Sequence, residues 1–262
     1  MIAVPLVLYN EIRKTFIITW NYRVDLAIQF LTLVLFFVFI SFFIGSGTIK
    51  SEGLPAVLLG YLIWLYAVMA ISNMSTSLSG EASVGTLEQI YMSPVPAWMV
   101  IVGWVVANFL QHTVIVALLG VILVMILPVT LPLELAALPP FVLTMIGLIG
   151  FGYAIGGLTL VYKQVSSVSS LLTNVLLFLN GSLLPVHHFP AWLETIAVFL
   201  PTTQGIIVLR RVVVDGASLT AVWQDGSMVF LAIQSFVFLV VGWILFNVGE
   251  RVAKQRGTLG QY

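Results

Sequence analysis

The feature that constrains this chain most is a series of apolar runs, each about as long as a membrane span. A helix needs about 20 largely apolar residues to cross a hydrocarbon core of about 30 Å. Six runs approach or exceed that length, at residues 26–44, 54–71, 97–127, 141–162, 165–186 and 227–249. Only 8% of the 262 residues are charged, against about 25% in soluble globular domains. The sequence therefore predicts one all-α integral membrane domain over residues 1–262, with six transmembrane helices.

Two further segments are largely apolar but are not predicted to cross the membrane. One carries charged side chains among its apolar residues, and the other is divided by a proline into halves that are too short. Residues 1–25 alternate apolar clusters with charged side chains, which is typical of an amphipathic interfacial helix in the headgroup region. Residues 189–214 are divided by a proline into halves of about a dozen residues each. This second segment predicts a re-entrant extracellular helical hairpin before the last span. The residues that mark the hairpin are Pro190, Trp192, Pro201 and Arg210.

The positions of the basic residues predict the orientation. Loops on the cytoplasmic side carry an excess of Lys and Arg. With six spans and both termini in the cytoplasm, seven basic residues lie inside and three outside, whereas a seventh span at 189–214 gives six and four. The stronger bias favours six spans in the cell (plasma or inner) membrane, with cytoplasmic N- and C-termini.

Side chains that could carry chemistry are scarce. No glycine-rich loop ends in Gly-Lys-Ser or Gly-Lys-Thr, so the chain cannot hydrolyse ATP by that route. There is no cysteine, and the adjacent His187 and His188 have no third ligand within motif distance, so we expect no metal site and no catalytic residue. No Asp, Glu, Lys or Arg lies well inside a span, which counts against ion-coupled transport. No basic cluster suggests nucleic acid.

Small and uncharged polar residues indicate where helices could contact one another or a substrate. Gly152 and Gly156 in the fourth span predict close approach of another helix backbone. Asn108 and His112 share one face of the third span and predict either interhelical hydrogen bonds or a substrate path. A further group, at the predicted inner ends of the second and fifth spans, predicts either the walls of a cytoplasm-facing cavity or packing through small residues. This group is Ser72, Asn73, Thr76, Ser166, Ser169, Ser170, Thr173 and Asn174.

The most informative polar segment is 81–96, on the predicted cytoplasmic side between the second and third spans. Carboxylates, an apolar face and two prolines follow one another there, and a solvated loop does not account for the apolar face. The segment reads Glu81-Ala-Ser-Val-Gly-Thr-Leu-Glu and continues to Ser-Pro. It resembles the cytoplasmic coupling segment of ABC-2 type ABC exporter permeases. The residues that the resemblance assigns to ATPase docking are Glu81, Gly85, Thr86, Leu87, Glu88, Ile90 and Tyr91.

A second pattern, after the fifth span, strengthens the resemblance. The chain contains, in the order of the family's pattern, Asn180-Gly-Ser-Leu-Leu-Pro-Val, Phe189-Pro-Ala-Trp-Leu, Leu200-Pro-Thr-Thr and Leu209-Arg210. The resemblance implies a dimer of two identical or homologous permeases, each docking its coupling helix into a groove on one of two ABC ATPase subunits. ATP and Mg²⁺ would bind those ATPase subunits, and the permease itself would hold no cofactor. In one departure, Ala82 to Val84 stand where the family often has Arg or Lys, which puts a salt bridge to the ATPase there in doubt.

The function that the resemblance implies is export, without enzymatic activity on this chain. The first hypothesis is a permease subunit that moves an amphipathic or lipid-like molecule out of the cytoplasm or the inner leaflet. A second hypothesis is export of a polysaccharide or lipid-linked glycan. A third, of another class, is a membrane assembly or sensor protein that transports nothing. A neighbouring gene that encodes an ATPase with Walker motifs would favour export over the third hypothesis.

Overall fold

The computed structural model describes residues 3–45, 47, 53–132, 134–162 and 165–257, and the regular structure in these ranges is helical throughout. The N-terminal half contains α1 (Ala3–Asn21), α2 (Arg23–Ile44), α3 (Leu54–Val84), α4 (Thr86–Met92) and α5 (Ala97–Ile126). The C-terminal half contains α6 (Leu138–Val161), α7 (Ser166–Leu179), α8 (Ala191–Val198), α9 (Thr203–Val213), α10 (Leu219–Gln224) and α11 (Ser227–Arg256).

Five of these helices are long and apolar enough to cross a membrane, namely α2, α3, α5, α6 and α11. A sixth candidate exists if α8 and α9, which meet at an angle of 88°, are taken together as one span. The all-helical membrane fold predicted from the sequence is therefore confirmed. The helix in place of the predicted fifth span at 165–186 is shorter than predicted, because α7 has 14 residues and ends at Leu179. The helix stops there because Gly181, two residues further on, has a φ of +79°, which the right-handed helix does not contain.

Helix α3 forms the centre of the bundle. It runs for 31 residues, well past the predicted end of the second span at residue 71, and therefore includes the start of the predicted coupling segment. Its buried side chains include Leu58, Tyr61 and Ile71. Helices α5, α6 and α7 all pack against α3. In contrast, α2 buries only Phe37 and Ser41 among its described residues, so most of its surface is left uncovered by this chain.

The closest helix pair is α6 with α11. A Cβ atom on Gly242 would lie 1.8 Å from the carbonyl oxygen of Gly150, and a Cβ on Gly249 would lie 2.3 Å from that of Gly157. From the first of these contacts to the second, the residue number rises by seven in α6 and also in α11, so the two helices run in the same direction. Small residues permit this approach in membrane proteins because no side chain separates the backbones.

The opposite face of α6 packs on α3 through the two glycines singled out in the sequence. A Cβ on Gly152 would lie 2.7 Å from the Ala70 carbonyl oxygen, and one on Gly156 would lie 2.8 Å from the side chain of Met74. The predicted close approach of another helix backbone is therefore confirmed at Gly152, with α3 as the partner, whereas Gly156 lies against side chains of α3. Because α6 has glycines on two faces, it lies tightly between α3 and α11.

Candidate functional site

Helix α4 forms a separate short element at the end of α3. Gly85 adopts a φ of +78°, a conformation that glycine reaches without a steric penalty, and this residue ends α3 and begins α4. The Thr86 hydroxyl donates a hydrogen bond to the Glu81 carbonyl oxygen at 3.1 Å and also contacts the Glu81 carboxylate. These bonds join the two helices across the turn. Glu81, Gly85 and Thr86, which the sequence assigned to docking, therefore form the turn itself.

The apolar residues of α4 face the protein. Leu87 is 1% exposed and packs in a cluster with Ile101 of α5 and Ala253 of α11. The ring of Tyr91 lies 4.6 Å from the Nζ atom of Lys254. Burial, together with the nearby Glu250 carboxylate, raises the pKa of the Tyr91 hydroxyl. Leu87 and Tyr91 thus hold α4 against the end of α11.

The outer surface of this region consists of different residues. Val84 is 76% exposed and Met92 is 77% exposed, and Glu88 between them is also exposed. Ile90 is half-buried and lines a groove between α4 and α1, together with Val7. Sequence reasoning did not select Val84 and Met92, although the spacing of Met92 by four residues from Glu88 on α4 was a usable signal.

The predicted path residues on α3 and α7 differ in how exposed they are. Ser169 and Thr173 are buried, while Thr76, Ser170 and Asn174 are exposed. The indole Nε1 of Trp64 donates to the Thr173 carbonyl oxygen at 2.8 Å, which ties α3 to α7. The side chain of Ser166, at the first position of α7, lies outside the described part of the structure, and Ser72 is half-buried.

Asn73, another of the predicted path residues, lines a cavity between α3, α5 and α6. Asn108 of α5 lines the same cavity, so the structure brings together two residues that the sequence placed in separate groups. His112 is directed differently: its Nδ1 atom lies 3.1 Å from the Asn108 carbonyl oxygen in its own helix. An interhelical hydrogen bond does occur one residue earlier, where Gln111 donates to the Thr19 hydroxyl of α1 at 2.7 Å.

The segment after α7 forms a polar junction. Asn180 donates to the Thr202 hydroxyl at 3.0 Å, and the Ser182 hydroxyl donates to the Gly60 carbonyl oxygen at 3.0 Å. Arg210 of α9 donates to the carbonyl oxygens of Ala56 and Ser182, at 2.9 Å and 2.8 Å. Sequence reasoning selected Arg210 but missed Asn180 and Ser182, although both lie within the Asn-Gly-Ser motif that it quoted.

The other predicted hairpin residues lie at the ends and on the outside of the same region. Pro190 precedes the first residue of α8, and Pro201 lies in the turn between α8 and α9. Trp192 of α8 is 66% exposed. The two helices therefore differ in environment, because α9 is largely buried while α8 presents an aromatic side chain outward.

Comparison with known proteins gives a family and two curated relatives. The model of the family described as "ABC-2 type transporter" matches residues 8–214. The relatives are each named "Probable multidrug ABC transporter permease YbhR", one from Escherichia coli (strain K12) and one from Escherichia coli O157:H7. Each is 26% identical over 173 residues, which cover 63% of this chain and 44% of the relative. The chain thus spans less than half the length of the relatives that it matches. Because the family match covers most of the sequence and the structure is a bundle of apolar helices, the chain belongs to the ABC-2 type transporter family.

Proposed function

We propose that this chain is the permease subunit of an ATP-driven exporter, with ATP and Mg²⁺ bound by a separate ABC ATPase. The cargo would be an amphipathic or lipid-like molecule, moved out of the cytoplasm or the inner leaflet. Family membership and the names of the two relatives support this proposal. The observation that carries it is the form of α4, a short helix that is fixed on its inner side and presents an exposed surface on its outer side.

The two sides of α4 suit the transmission of movement. An ATPase would contact the exposed Val84, Glu88 and Met92, while the buried Leu87 connects α4 to α5 and α11. A side chain packed in an apolar cluster resists displacement because its neighbours fill the space around it. A shift of α4 would therefore move the long helices behind it.

The membrane placement that accompanies this function concerns α1 and the α8–α9 pair. We place α1 at the cytoplasmic interface, where its Glu11 side chain lies against Gly103 near the start of α5. We place α8 and α9 as a hairpin that enters from outside and returns. The 88° bend between them and the two backbone acceptors for Arg210 support that placement, because a buried charge needs hydrogen-bond partners. Both termini would then be cytoplasmic.

A second permease subunit would complete the pathway. The largely uncovered surface of α2 and the exposed Ser170 and Asn174 of α7 favour a partner beside these helices. Polar side chains that face lipid are costly, and within membranes they commonly face a bundle interior or a water-filled space. Two permeases, identical or homologous, would thus enclose a path, and each would bind one ATPase.

Reconstitution of the permease with the ATPase encoded beside it tests the proposal. We expect ATP hydrolysis that rises when an exported amphiphile is added, and accumulation of that amphiphile on the far side of the vesicle membrane. The Glu88→Lys variant should bind the ATPase more weakly, because it reverses the charge on the exposed surface of α4. ATPase activity and amphiphile distribution that are the same with and without the permease would contradict the proposal.

A further inference from the structure

The end of α11 carries polar side chains that reach α4. The Nζ atom of Lys254 lies 2.6 Å from the Glu250 carboxylate, one turn earlier in the same helix. The same Nζ atom lies 4.6 Å from the centre of the Tyr91 ring of α4, and the Tyr91 hydroxyl lies close to the Glu250 carboxylate. These three side chains therefore form a polar cluster that connects α4 with α11.

The ring contact distinguishes this cluster from an ordinary surface ion pair. A Lys–Glu pair four residues apart is common on exposed helices and stabilises them only slightly. Here the ammonium group also lies over an aromatic face, which attracts it electrostatically, and Glu250 holds it in that place. The neighbouring Arg251 and Arg256 are exposed and have no ion pair or ring contact within the described part of the chain. Among these three basic residues, Lys254 is thus the one that contacts α4.

The helix that carries the cluster is packed tightly against α6. Gly249, one residue before Glu250, lies so close to Gly157 of α6 that an added Cβ would be 2.3 Å from the Gly157 carbonyl oxygen. The rings of Tyr153 in α6 and Phe246 in α11 are 5.6 Å apart in an edge-to-face arrangement. Helices in such close backbone contact lose van der Waals attraction when they separate. A displacement at the end of α11 therefore acts on α6 and α11 together.

Helix α4 is connected to α11 in a different way from its connection to the other helices. The turn at Gly85 joins α4 to α3, and residues 93–96 join it to α5. Side chains alone supply the described contacts with α11, since Leu87 shares an apolar cluster with Ala253 and Tyr91 contacts Lys254. Apolar burial is non-directional, whereas a cation over a ring has a defined geometry. The ring contact therefore fixes how α4 lies on α11.

We propose that Glu250 and Lys254 are positioning residues for α4, and that they make the α6–α11 pair follow the movement of α4. Glu250 holds the Lys254 ammonium group over the Tyr91 ring, and Tyr91 passes a displacement of α4 to the end of α11. The role in transport rests on the proposed function, because it needs an ATPase that moves α4. The contact itself, and its effect on the stability of α4, do not depend on that function.

Hydrogen–deuterium exchange of the permease alone, in lipid nanodiscs, tests the contact. Lys254→Gln removes the cation and leaves the helix propensity nearly unchanged. The backbone amides of residues 86–92 should exchange about threefold faster in this variant, because the ring contact opposes the opening of α4. Lys254→Arg keeps a cation, and Arg251→Gln removes one that does not contact α4, so both should exchange as the unmodified chain does. Unchanged exchange in Lys254→Gln would overturn the proposal.

Tyr91→Leu completes a double-mutant cycle, because it removes the ring and keeps an apolar side chain. In this background Lys254→Gln should cause no further increase in exchange, since the two residues act through one contact. Equal increases with and without the ring would show that Lys254 acts elsewhere, and would also overturn the proposal. Thermal unfolding checks that the variants are folded. If Tyr91→Leu does not fold, Lys254→Gln compared with Lys254→Arg and Arg251→Gln still decides the question.

Assays of the complex with the ATPase test the role in transport, with a fluorescent lysophospholipid as the probe. In Lys254→Gln the amount of probe moved per ATP hydrolysed should fall about threefold with an unchanged KM for ATP, and Lys254→Arg should restore the ratio. A non-hydrolysable ATP analogue should change the exchange of residues 249–256 in the unmodified complex, and about threefold less in Lys254→Gln. An equal response in both would mean that the contact supports α4 without transmitting its movement, which would overturn this role.

The outcomes for the contact and for transport are separable. Faster exchange of α4 in Lys254→Gln, with no transport by the unmodified complex, would leave the contact standing and remove the proposed function. Transport with the same ratio of probe to ATP in Lys254→Gln and in the unmodified complex would remove the positioning role and leave the function standing.

Discussion

At Gly242 of α11, the α-carbon lies so close to the carbonyl of Gly150 in α6 that no side chain fits between them. The same relation recurs at Gly249 and Gly157. Close contact of this kind gains van der Waals attraction along both backbones, which is the main source of helix association where lipid and side chain are equally apolar. The α6–α11 pair therefore depends on individual glycines.

We predict that Gly242→Ala destabilises the protein by about 3 kcal/mol, the upper end of the range for overpacking a tight contact. The physical reason is that the added methyl group would lie 1.8 Å from a carbonyl oxygen, so the helices must separate. Thermal unfolding in detergent measures the effect. The control is Gly80→Ala in α3, where an added Cβ meets nothing within 4 Å. Equal unfolding temperatures for the two variants would show that α6 and α11 are not in tight contact.

At the scale of the elements, α4 and α7 are short helices, and each has a proposed role at a surface that another subunit would contact. Helix α4 has seven residues, too few to be stable alone, and it persists because Leu87 is buried against α5 and α11. Helix α7 is attached to α3 through Trp64 and leaves its opposite face open. The inner side of each helix determines its position, and the outer side is available for a partner.

For α4 we predict that Leu87→Asp abolishes substrate-stimulated ATP hydrolysis while leaving the amount of permease in the membrane unchanged. A carboxylate at a position that is 1% exposed would lose its hydration without gaining a partner, so α4 would leave its apolar cluster. The control is Gln89→Asp, which adds the same charge at an exposed position of the same helix and should retain most of the coupling. Normal coupling in Leu87→Asp would contradict the role of this contact.

For α7 we predict that a cysteine at Asn174 reacts with a water-soluble thiol reagent added from the cytoplasmic side, and that one at Thr173 reacts far more slowly. Asn174 is exposed, whereas Thr173 is 6% exposed. The chain has no native cysteine, so there is no background reaction. Labelling rates in the nucleotide-free complex measure the difference. Complete protection at both positions would mean that this face of α7 serves only for packing.

At the scale of the whole molecule, the ends of four helices converge on α9. Its Gly205 lies against Thr144 of α6, and its Arg210 bonds to the start of α3 and to the segment after α7. Arg211 forms an ion pair with Asp225, just before α11. The backbone amide of Ser227 donates to this Asp225 carboxylate and, together with Arg211, lowers its pKa. Helix α9 thus joins the beginnings of α3, α6 and α11 into one end of the bundle.

We predict that cysteines at Glu194, within α8, and at Asp215, just after α9, both react with a membrane-impermeant reagent from outside the cell. A hairpin returns the chain to the side from which it entered, whereas a crossing helix pair would leave Asp215 reachable only from the cytoplasm. Labelling of intact cells, compared with labelling after permeabilisation, measures this. Protection of Asp215→Cys in intact cells with labelling after permeabilisation would favour the seventh span.

Several features of the fold could be predicted because they depend on local sequence alone. A long charge-free run must be a helix in lipid, since every backbone polar group has to be paired within it, and α2, α5 and α11 follow from that rule. The motif likewise drew attention to the segment that contains α4, although the inner and outer faces of α4 could not be predicted from it.

The sequence by itself determined the all-helical membrane class, most of the long helices and the family, whereas it predicted a span at 165–186 where α7 has 14 residues and ended the second span well before α3 ends. The tertiary structure alone decided which faces meet, and so placed Asn73 beside Asn108, directed Leu87 inward and left Val84 and Met92 outside. The physical reason is that an apolar side chain on a membrane helix suits lipid and protein equally well. Hydropathy therefore shows that a helix spans the membrane but carries no information about its neighbours, which follow from the shape of the packed surfaces.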